Sequence, residues 1–304
     1  MFDIIVVGGG PAGLTAAVYA LRAGKQVLVL EKNGFGGQIA YSPKVENIPG
    51  TISISGSEFA EKLTEQVLEL GAQVEIETVT RVECEGKLRR VYTQEGSVYE
   101  AGAVILALGV QHRMLGLEGE EELIGHGLSF CAVCDGAFYA GGHAAMIGGG
   151  NSALQEALLL SQVCRQVTVV QNLPFLTGEQ KLQQALAEKE NVQVILDTVV
   201  TEYISRDGEL TGLMLRSGDG STQDLEVDGA FLAVGLVPEN EAFAQVAKLD
   251  DRGYFQASED CLTQTPGVFV AGDCRQKHIR QVTTAAADGA IAALAAVRYV
   301  EGHV

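Results

Sequence analysis

Two stretches of the chain repeat the same order of apolar and glycine-rich segments. The first begins with the continuous apolar run Ile4–Val7, which leads into a glycine-rich turn over residues 8–13. An apolar pattern with helical spacing follows over Leu14–Ala23, and a second apolar run covers Val27–Leu30. Short continuous apolar runs are typical of strands buried on both faces of a parallel sheet. The pattern therefore predicts a strand, a tight turn, a helix and a parallel strand.

The second stretch has the same organisation. An apolar run over Ala144–Ile147 leads into the turn 148–153, a helical pattern over Leu154–Gln162 and an apolar run over Val167–Val170. A further apolar strand pattern comes late in the chain and ends in Gly272-Asp273, ahead of an alanine-rich helical stretch. An internal repeat of this length indicates two copies of one structural unit.

The late strand is expected to return the chain to the first unit. We therefore predict an α/β fold with two Rossmann-like, three-layer dinucleotide-binding domains, the second inserted into the first. The first domain is predicted to be discontinuous, over residues 1–112 plus 243–304. The inserted domain is predicted over residues 113–242.

The glycines of the first turn suit a dinucleotide. Glycine at 8 permits the tight turn, glycine at 10 lets the backbone approach a pyrophosphate, and glycine at 13 lets the helix pack close to the strand. Glu31, at the end of the second strand, is placed to accept hydrogen bonds from a ribose. The cofactor-binding residues predicted for this copy are Gly8, Gly10, Pro11, Ala12, Gly13 and Glu31.

The second turn differs from the first at two positions. Alanine replaces the third glycine, which is an accepted variant, and a neutral glutamine replaces the ribose carboxylate. The candidate nucleotide-site residues are Gly148, Gly150, Asn151, Ser152, Ala153 and Gln171. Two dinucleotide sites indicate one tightly held cofactor and one diffusing partner, and a flavin with a nicotinamide is the natural pair.

A pair of cysteines, Cys131 and Cys134, precedes the second repeat. Thiols at this spacing close a small disulfide ring with reactive exchange chemistry, and the adjacent Asp135 is placed to move the proton that exchange requires. A zinc site with His126 and His143 is one alternative, and two unreactive buried cysteines are another. We favour a redox-active dithiol and predict no metal.

The charge of the chain narrows the choice of partners. Its 304 residues contain 21 Lys and Arg against 39 Asp and Glu, for a formal net charge of −18. Such a surface repels phosphate backbones and anionic lipid, so we expect neither nucleic-acid nor membrane binding. The sequence shows no secretory pattern or spanning apolar segment, and six cysteines are too sparse for a disulfide scaffold. A cytoplasmic protein is expected.

The motifs together resemble the low-molecular-weight thioredoxin reductases over essentially the whole chain. The matching segments are Gly8–Gly13, Gly36-Gly37-Gln38, Glu46-Asn47-Ile48-Pro49-Gly50, Cys131–Gly136, Gly148–Ala153, Gly272-Asp273 and Arg280-Gln281. The resemblance implies a homodimer with FAD in the discontinuous domain. It places Gly37 and Gly272 in the flavin motifs and assigns FAD contacts to Glu31, Gln38, Asn47, Asp273, Arg280 and Gln281.

The resemblance also implies roles for the redox pair. Cys134 matches the thiol nearer the flavin, and Cys131 matches the thiol that attacks the partner disulfide. Asp135 matches the acid/base of the family. Thioredoxin or a similar small dithiol protein is the implied acceptor.

The chain departs from the family pattern in the pyridine-nucleotide site. NADPH-using relatives carry a His-Arg-Arg motif and a further arginine that clamp the 2′-phosphate, whereas the matching positions here are Gln171, Asn172, Leu173 and Thr177. A dianionic phosphate without a cation loses several charge-assisted hydrogen bonds, which argues against NADPH. NADH is one remaining donor. The other is reduced ferredoxin, as in a ferredoxin-linked branch of the family.

An acidic chain is a poor partner for an acidic ferredoxin unless a local basic patch binds it. The candidate patch is Arg275, Lys277, His278 and Arg280. Two other functions stay open besides thioredoxin reduction. One is the flavoprotein component of a peroxide-reducing system, and the other is a flavin dithiol oxidase or redox sensor.

Overall fold

The computed structural model describes residues 1–42 and 45–302. The chain separates into two compact units. Unit 1 comprises Met1–Ala40, Ile48–Gln111 and Val237–Val304, and unit 2 comprises Tyr41–Asn47 and His112–Leu236.

Both units contain strands and helices. In the first half of the chain they are β1 (Phe2–Val7), α1 (Pro11–Arg22), β2 (Val27–Glu31), α2 (Gly56–Glu69), β3 (Gln73–Ile76), β4 (Val79–Glu85), β5 (Leu88–Thr93), β6 (Val98–Leu106), β7 (Gln111–His112), β8 (Leu128–Ser129), α3 (Ala132–Asp135) and β9 (His143–Ile147). They continue as α4 (Asn151–Val163), β10 (Gln166–Val170), α5 (Gln180–Ala187), β11 (Val192–Ile195), β12 (Thr198–Arg206), β13 (Glu209–Ser217), β14 (Thr222–Glu226), β15 (Gly229–Leu232), β16 (Leu236–Val237), β17 (Val268–Val270) and α6 (Val282–Val300). Short 3₁₀ helices cover Gly37–Tyr41, Gly136–Tyr139, Glu241–Phe243 and Gly272–Cys274.

Unit 1 is built on a mixed sheet in the order β3-β2-β1-β6-β5-β4, with β17 also paired to β6. The strands β3, β2, β1, β6 and β17 are parallel to one another, and β5 pairs antiparallel with both β6 and β4. Along β1, Ile4 and Val6 pack with α1 and α6, whereas Ile5 and Val7 pack on the opposite side with Phe243. Both sheet faces are therefore covered, which explains the continuous apolar run.

Unit 2 contains the parallel sheet β11-β10-β9-β15-β8 and the antiparallel sheet β12-β13-β14. Met146 of β9 packs in one core with Leu154 and Leu160 of α4. Ile147 packs on the other face in a second core with Leu213 of β13. Helices lie on one face of the parallel sheet and the antiparallel sheet on the other. The predicted fold class, α/β with two three-layer dinucleotide-binding units, is confirmed.

Both helices that follow the glycine turns begin earlier than the apolar pattern predicted. Helix α1 begins at Pro11 and α4 begins at Asn151, after the extended N-cap residues Gly10 and Gly150. A proline is favourable in the first turn because its missing N–H has no intrahelical partner there. The first turn of α1 consists of Pro11, Ala12 and Gly13, and that of α4 begins with the polar Asn151 and Ser152, so neither shows a hydrophobic periodicity and the pattern predicted only the later turns.

The chain passes from unit 2 back to unit 1 at 236/237. The Asn240 side chain is buried and donates to the carbonyls of Gly253 and Cys274 at 2.8 and 2.9 Å. Phe243 is buried in the core of unit 1. These contacts tie the segment after Val237 to the rest of unit 1.

Among the described residues, no helix is both long enough and apolar enough to cross a membrane.

Candidate functional site

The first glycine turn joins β1 to α1 with very close backbone packing. A Cβ at Gly8, whose φ is +108°, would lie 2.3 Å from the Ala107 carbonyl oxygen, and one at Gly13 would lie 1.9 Å from the Gly8 oxygen. At Gly10, in contrast, the nearest atom would be 3.9 Å away, on the 36–37 segment. Glycine at 8 and 13 is therefore required for packing, whereas glycine at 10 keeps the start of α1 open.

Glu31 lies at the end of β2, beside this turn. Its carboxylate accepts the Gly9 N–H at 2.6 Å and the Asn33 N–H at 3.0 Å. The two bonds hold the carboxylate against the turn at the position where a ribose is expected. Pro11 and Ala12 form the first turn of α1, and Ala12 also touches the loop that contains Gly272: a Cβ at Gly272 would lie 2.8 Å from the Ala12 Cβ.

Asp273 follows β17 in the loop packed against α1. Its Oδ1 atom is buried and has no hydrogen-bond partner among the described residues. Burial raises the pKa of Asp273, and the nearby Lys277 and Arg280 act in the opposite direction. The Arg280 guanidinium lies over the Tyr254 ring, 4.5 Å from its centroid, and Nε donates to the Asp273 carbonyl at 3.4 Å. The structure thus brings Arg280 and Asp273 together.

The remaining predicted flavin residues have varied surroundings. Gln38 donates to the Gln111 side chain at 3.0 Å, and a Cβ at Gly37 would lie 3.3 Å from the Gly10 Cα. Gln281 is the N-cap of α6 and forms a reciprocal capping box with Thr284. Asn47 belongs to the Tyr41–Asn47 segment, which groups with unit 2.

Asp288 of α6 forms a buried ion cluster with two cations that follow Asp273. The sequence analysis assigned no role to this aspartate. Asp288 accepts two hydrogen bonds from Arg275, at 2.7 and 2.8 Å, and one from Lys277 at 3.0 Å. It also accepts the Gly272 N–H at 3.0 Å. The one sequence signal was a lone acid within an apolar, alanine-rich helix.

The same ion cluster corrects the predicted basic patch. Arg275 is buried and Lys277 is largely covered, and both are paired with Asp288. Two of the four cations proposed for binding an acidic protein are therefore neutralised inside unit 1. His278 is exposed and Arg280 is partly exposed.

The second glycine turn repeats the close packing of the first. A Cβ at Gly148, where φ is +127°, would lie 2.5 Å from the Ala233 carbonyl oxygen. Within the first turn of α4, Ala153 is buried in the core, whereas Asn151 and Ser152 are exposed. The Asn151 side chain is bonded to Glu179, accepting its N–H at 2.7 Å and donating to its carboxylate at 3.1 Å.

A loop after β10 closes over this second turn. The Gly149 carbonyl accepts hydrogen bonds from the Thr177 N–H, the Thr177 hydroxyl and the Gly178 N–H at 2.8, 3.2 and 2.9 Å. Gln171 is buried against Gly149 and donates its amide to the Phe175 carbonyl at 3.3 Å. In the first copy the Glu31 carboxylate accepts a hydrogen bond from the glycine turn. In the second copy the Gln171 amide instead donates to the loop that follows β10.

Cys131 and Cys134 form a disulfide at the start of α3, with their Cα atoms 5.3 Å apart. Cys131 is the N-cap residue of this short helix, and its Sγ accepts the Cys134 N–H at 3.2 Å. The other four cysteines are free, and three of them, Cys164, Cys261 and Cys274, are buried.

Asp135 lies directly beside the disulfide and is buried. Its Oδ2 accepts the Ser129 hydroxyl at 2.6 Å, and its Oδ1 accepts the Ser42 hydroxyl at 3.1 Å. Burial raises the pKa of this carboxyl, while the two hydroxyl donors lower it. A carboxyl group with a raised pKa next to a disulfide is suited to proton transfer in thiol chemistry.

Parallel-sheet dinucleotide units combined with a Cys-x-x-Cys disulfide define a class of dithiol flavoprotein oxidoreductases. The comparisons with known proteins agree. Residues 2–289 match the family model described as pyridine nucleotide-disulphide oxidoreductase. The chain therefore belongs to this family and is of the low-molecular-weight thioredoxin reductase type.

Individual relatives align over almost the whole chain. Thioredoxin reductase of Listeria monocytogenes is 40% identical over 302 residues, which are 99% of this chain and 94% of that protein. Thioredoxin reductase of Bacillus subtilis is 36% identical, over 99% of this chain and 95% of that protein. The crystal structure of thioredoxin reductase from Streptococcus pyogenes superposes with a TM-score of 0.93 at 36% identity, covering 99% of each chain.

Membership of this family implies FAD, and the residues of unit 1 fit that cofactor. Asp273 Oδ1 lies 3.8 Å from Lys277 Nζ but has no hydrogen-bond partner among the described residues, so it is a buried acceptor that a ligand hydroxyl would satisfy. The uncapped start of α1 after Gly10 leaves backbone N–H groups for a pyrophosphate. Gly10, Glu31 and Asp273 are thus the residues best placed to hold the cofactor.

Proposed function

We propose that the protein is a flavin-dependent disulfide reductase that passes electrons through FAD to the Cys131–Cys134 disulfide and on to thioredoxin or a similar small dithiol protein. The observation that carries this proposal is the Cys131–Cys134 disulfide with the buried Asp135 carboxyl beside it. The bound flavin supplies two-electron transfer between the donor and this disulfide. The thiol–disulfide exchange and the proton transfers use only side chains of the protein.

In the proposed reaction, two successive thiol–disulfide exchanges reduce the partner disulfide. In the reduced enzyme the Cys131 thiolate attacks the partner disulfide, which forms a mixed disulfide and expels one partner thiolate. The Cys134 thiolate then attacks Cys131, which re-forms the enzyme disulfide and releases the second partner thiolate. Asp135 moves the protons between the enzyme thiols and the departing partner thiolates. The assignment of attack to Cys131 and of resolution to Cys134 follows the resemblance to the family.

The donor is proposed to be NADH or reduced ferredoxin, not NADPH. The segment 171–179, which carries the phosphate clamp in NADPH-using relatives, contains no lysine, arginine or histidine. Each lost charge-assisted hydrogen bond costs about 1.5–3 kcal/mol, so two or three of them would weaken NADPH binding by orders of magnitude. The start of α4 after Gly150, which has no side-chain cap, supports NADH. The commitment of Gln171 to Phe175 weakens the ribose site and supports a protein donor.

We further propose a homodimer acting in the cytoplasm. The family resemblance is the basis for the dimer, and sedimentation of the holoenzyme tests it. A reductase with four free cysteines suits a compartment in which thiols are kept reduced. The acceptor thioredoxin is proposed because the relatives named above are thioredoxin reductases.

An anaerobic reduction experiment tests the proposal. FAD-loaded enzyme is mixed in turn with NADH, NADPH and reduced ferredoxin, and the loss of the oxidised-flavin absorbance is followed. Fast bleaching by NADH alone identifies an NADH-linked reductase and removes ferredoxin. Bleaching by ferredoxin alone identifies a protein donor. Fast bleaching by NADPH contradicts the donor assignment, and reduced enzyme that fails to reduce thioredoxin contradicts the acceptor.

A further inference from the structure

A glutamate on α4 is bonded to the backbone of the redox turn. Glu156 Oε2 accepts the N–H of Ala132, the residue that follows Cys131, at 3.1 Å. The Ala132 side chain is buried in the same core as Ala157 and Leu160 of α4. Packing and one hydrogen bond therefore fasten the disulfide turn to this helix.

The location of Glu156 changes how readily it ionises. Its neighbours on α4, Ala153, Leu154 and Ala157, are buried in the core between α4 and the sheet. Burial raises the pKa of Glu156 to about 7, and the Ala132 N–H opposes that shift. The carboxyl therefore changes its charge in the pH range in which thiols and disulfides exchange in cells.

Three backbone N–H groups of the redox turn donate to three different side chains. The Cys131 N–H donates to the Ser129 hydroxyl at 3.2 Å, the Ala132 N–H to Glu156, and the Cys134 N–H to the Cys131 sulfur. A thiolate on Cys131 is stabilised by N–H donors and destabilised by a neighbouring negative charge. An ionised Glu156 accepts the Ala132 N–H more strongly than a neutral one and places a negative charge against the backbone of the redox turn.

These hydrogen bonds bear on the redox equilibrium of the Cys131–Cys134 pair. A dithiol whose reduced form is strongly stabilised is a poor reductant. We propose that Glu156 is a positioning residue that keeps the Cys131–Cys134 dithiol strongly reducing, because it holds the Ala132 N–H and destabilises the thiolate. The inference rests on the redox role given to this pair under the proposed function. It adds a residue outside the Cys-x-x-Cys-Asp motif that adjusts the reaction.

Other titratable groups lie on the elements packed against α4. They are Asp135 on α3, Tyr139 in the 3₁₀ helix 136–139, His143 on β9 and the exposed Lys181 on α5. Burial raises the pKa of Tyr139 to about 12, so Tyr139 stays neutral between pH 6 and 8. Burial lowers the pKa of His143, whose Nε2 is hydrogen-bonded to Thr168. Asp135 also has a pKa raised by burial, and it is the group that the experiment must separate from Glu156.

The test measures the redox equilibrium of the pair without any physiological donor or acceptor. Holoenzyme is equilibrated anaerobically with mixtures of reduced and oxidised dithiothreitol between pH 6 and 8. In this exchange the Cys131–Cys134 bond breaks, dithiothreitol closes its own disulfide, and its two thiol protons pass to the protein thiols or, for a retained thiolate, to solvent. The reduced fraction of the Cys131/Cys134 peptide is then read by alkylation and mass spectrometry, and FAD content reports folding.

Glu156→Gln is compared with the wild type at each pH, so the pH dependence of the reagent cancels. At pH 8 the variant disulfide should be reduced at least about threefold more readily, a shift of ~14 mV at 29.6 mV per tenfold. At pH 6, where Glu156 of the wild type is mostly protonated, the difference should fall to within experimental error. Glu188→Gln, which removes an exposed charge on the same unit, should match the wild type throughout.

Three results would overturn the inference. Equal equilibria for the wild type and Glu156→Gln at pH 8 would make Glu156 purely structural. A pH-independent difference would show that ionisation is not involved. If Glu156→Gln no longer produces a pH-dependent difference when it is introduced into the Asp135→Asn variant, the effect belongs to Asp135. A Cys131/Cys134 pair that never cycles with dithiothreitol would refute the proposed function itself, and this outcome is separate from the other three.

Discussion

The Ser129 hydroxyl donates to Asp135 Oδ2 at 2.6 Å, and the same hydroxyl oxygen accepts the N–H of Cys131 at 3.2 Å. One buried serine thus connects the carboxyl group to the backbone of the redox turn. Its hydrogen bond lowers the pKa of Asp135 against the larger effect of burial, which raises it. Ser129 was not among the residues predicted for the site, because a serine two residues before a cysteine has no distinctive sequence signal.

Asp135→Asn is expected to slow thiol–disulfide exchange at least tenfold, because general acid–base catalysis contributes about 10²–10⁴ in rate. FAD content should not change. Ser129→Ala retains the carboxyl but removes a donor that lowers its pKa, so its pH–rate profile should move to higher pH. Stopped-flow reduction of thioredoxin between pH 5 and 9 checks both variants. An unchanged rate in Asp135→Asn would refute the acid/base role.

Cys134→Ser is expected to keep FAD bound and to abolish turnover with thioredoxin, because no intramolecular disulfide can form. The matched control is Cys84→Ser, which changes an exposed free cysteine in unit 1 and should retain full turnover. Flavin absorbance gives the FAD content, and coupled reduction of a chromogenic disulfide gives the turnover. Turnover retained by Cys134→Ser would remove the dithiol from the mechanism.

Arginines introduced at positions 172, 173 and 177 are expected to create or improve NADPH use. The triple variant Asn172→Arg, Leu173→Arg, Thr177→Arg supplies the cations that a 2′-phosphate requires. Its rate of anaerobic flavin bleaching by NADPH should rise at least about tenfold, the equivalent of one charge-assisted bond. Gln184→Arg on α5 with Glu188→Arg at its C-cap, both at exposed positions, controls for added positive charge. No gain would indicate that the loop at 173–176 fills the site.

Asp288→Asn is expected to destabilise unit 1 by about 3–5 kcal/mol, because it leaves the buried Arg275 and Lys277 without their carboxylate. FAD content should fall as well, since Asp288 positions the Gly272 N–H. Denaturant unfolding and flavin absorbance measure these effects. The control Glu85→Gln breaks an exposed pair with Arg90 and should change the free energy of unfolding by less than about 1 kcal/mol.

The same aspartate predicts a pH dependence. Burial raises the pKa of Asp288, but the hydrogen bonds and charges of Arg275 and Lys277 outweigh it, so the pKa is lowered overall. A carboxyl group with a depressed pKa stabilises the folded state above its unfolded pKa, and that contribution is lost as the pH falls through the folded value. Wild-type stability should therefore fall on acidification below about pH 4 more steeply than that of Asp288→Asn. Parallel slopes for the two proteins would contradict this assignment.

Features that depend on local backbone geometry could be predicted from the amino-acid sequence alone. A positive φ and a close backbone contact at Gly8 and Gly148 exclude other residues, so the two turns were recognisable without any partner. The spacing of Cys131 and Cys134 likewise places two thiols within reach of one another. Parallel strands buried on both faces produced continuous apolar runs, and these predicted the fold class.

The tertiary structure decided which side chains meet across the chain. Glu156 reaches Ala132 over 24 positions, and Asp288 binds Arg275 only because α6 packs beside the β17 loop. The chain pattern gives an isolated acid no partner, since hydrogen bonds and ion pairs are chosen by positions that folding brings together. The sequence thus specified the turns and the redox pair. Packing decided how Asp273 is supported, how Gln171 is engaged, and which carboxyl group contacts the backbone of the redox turn.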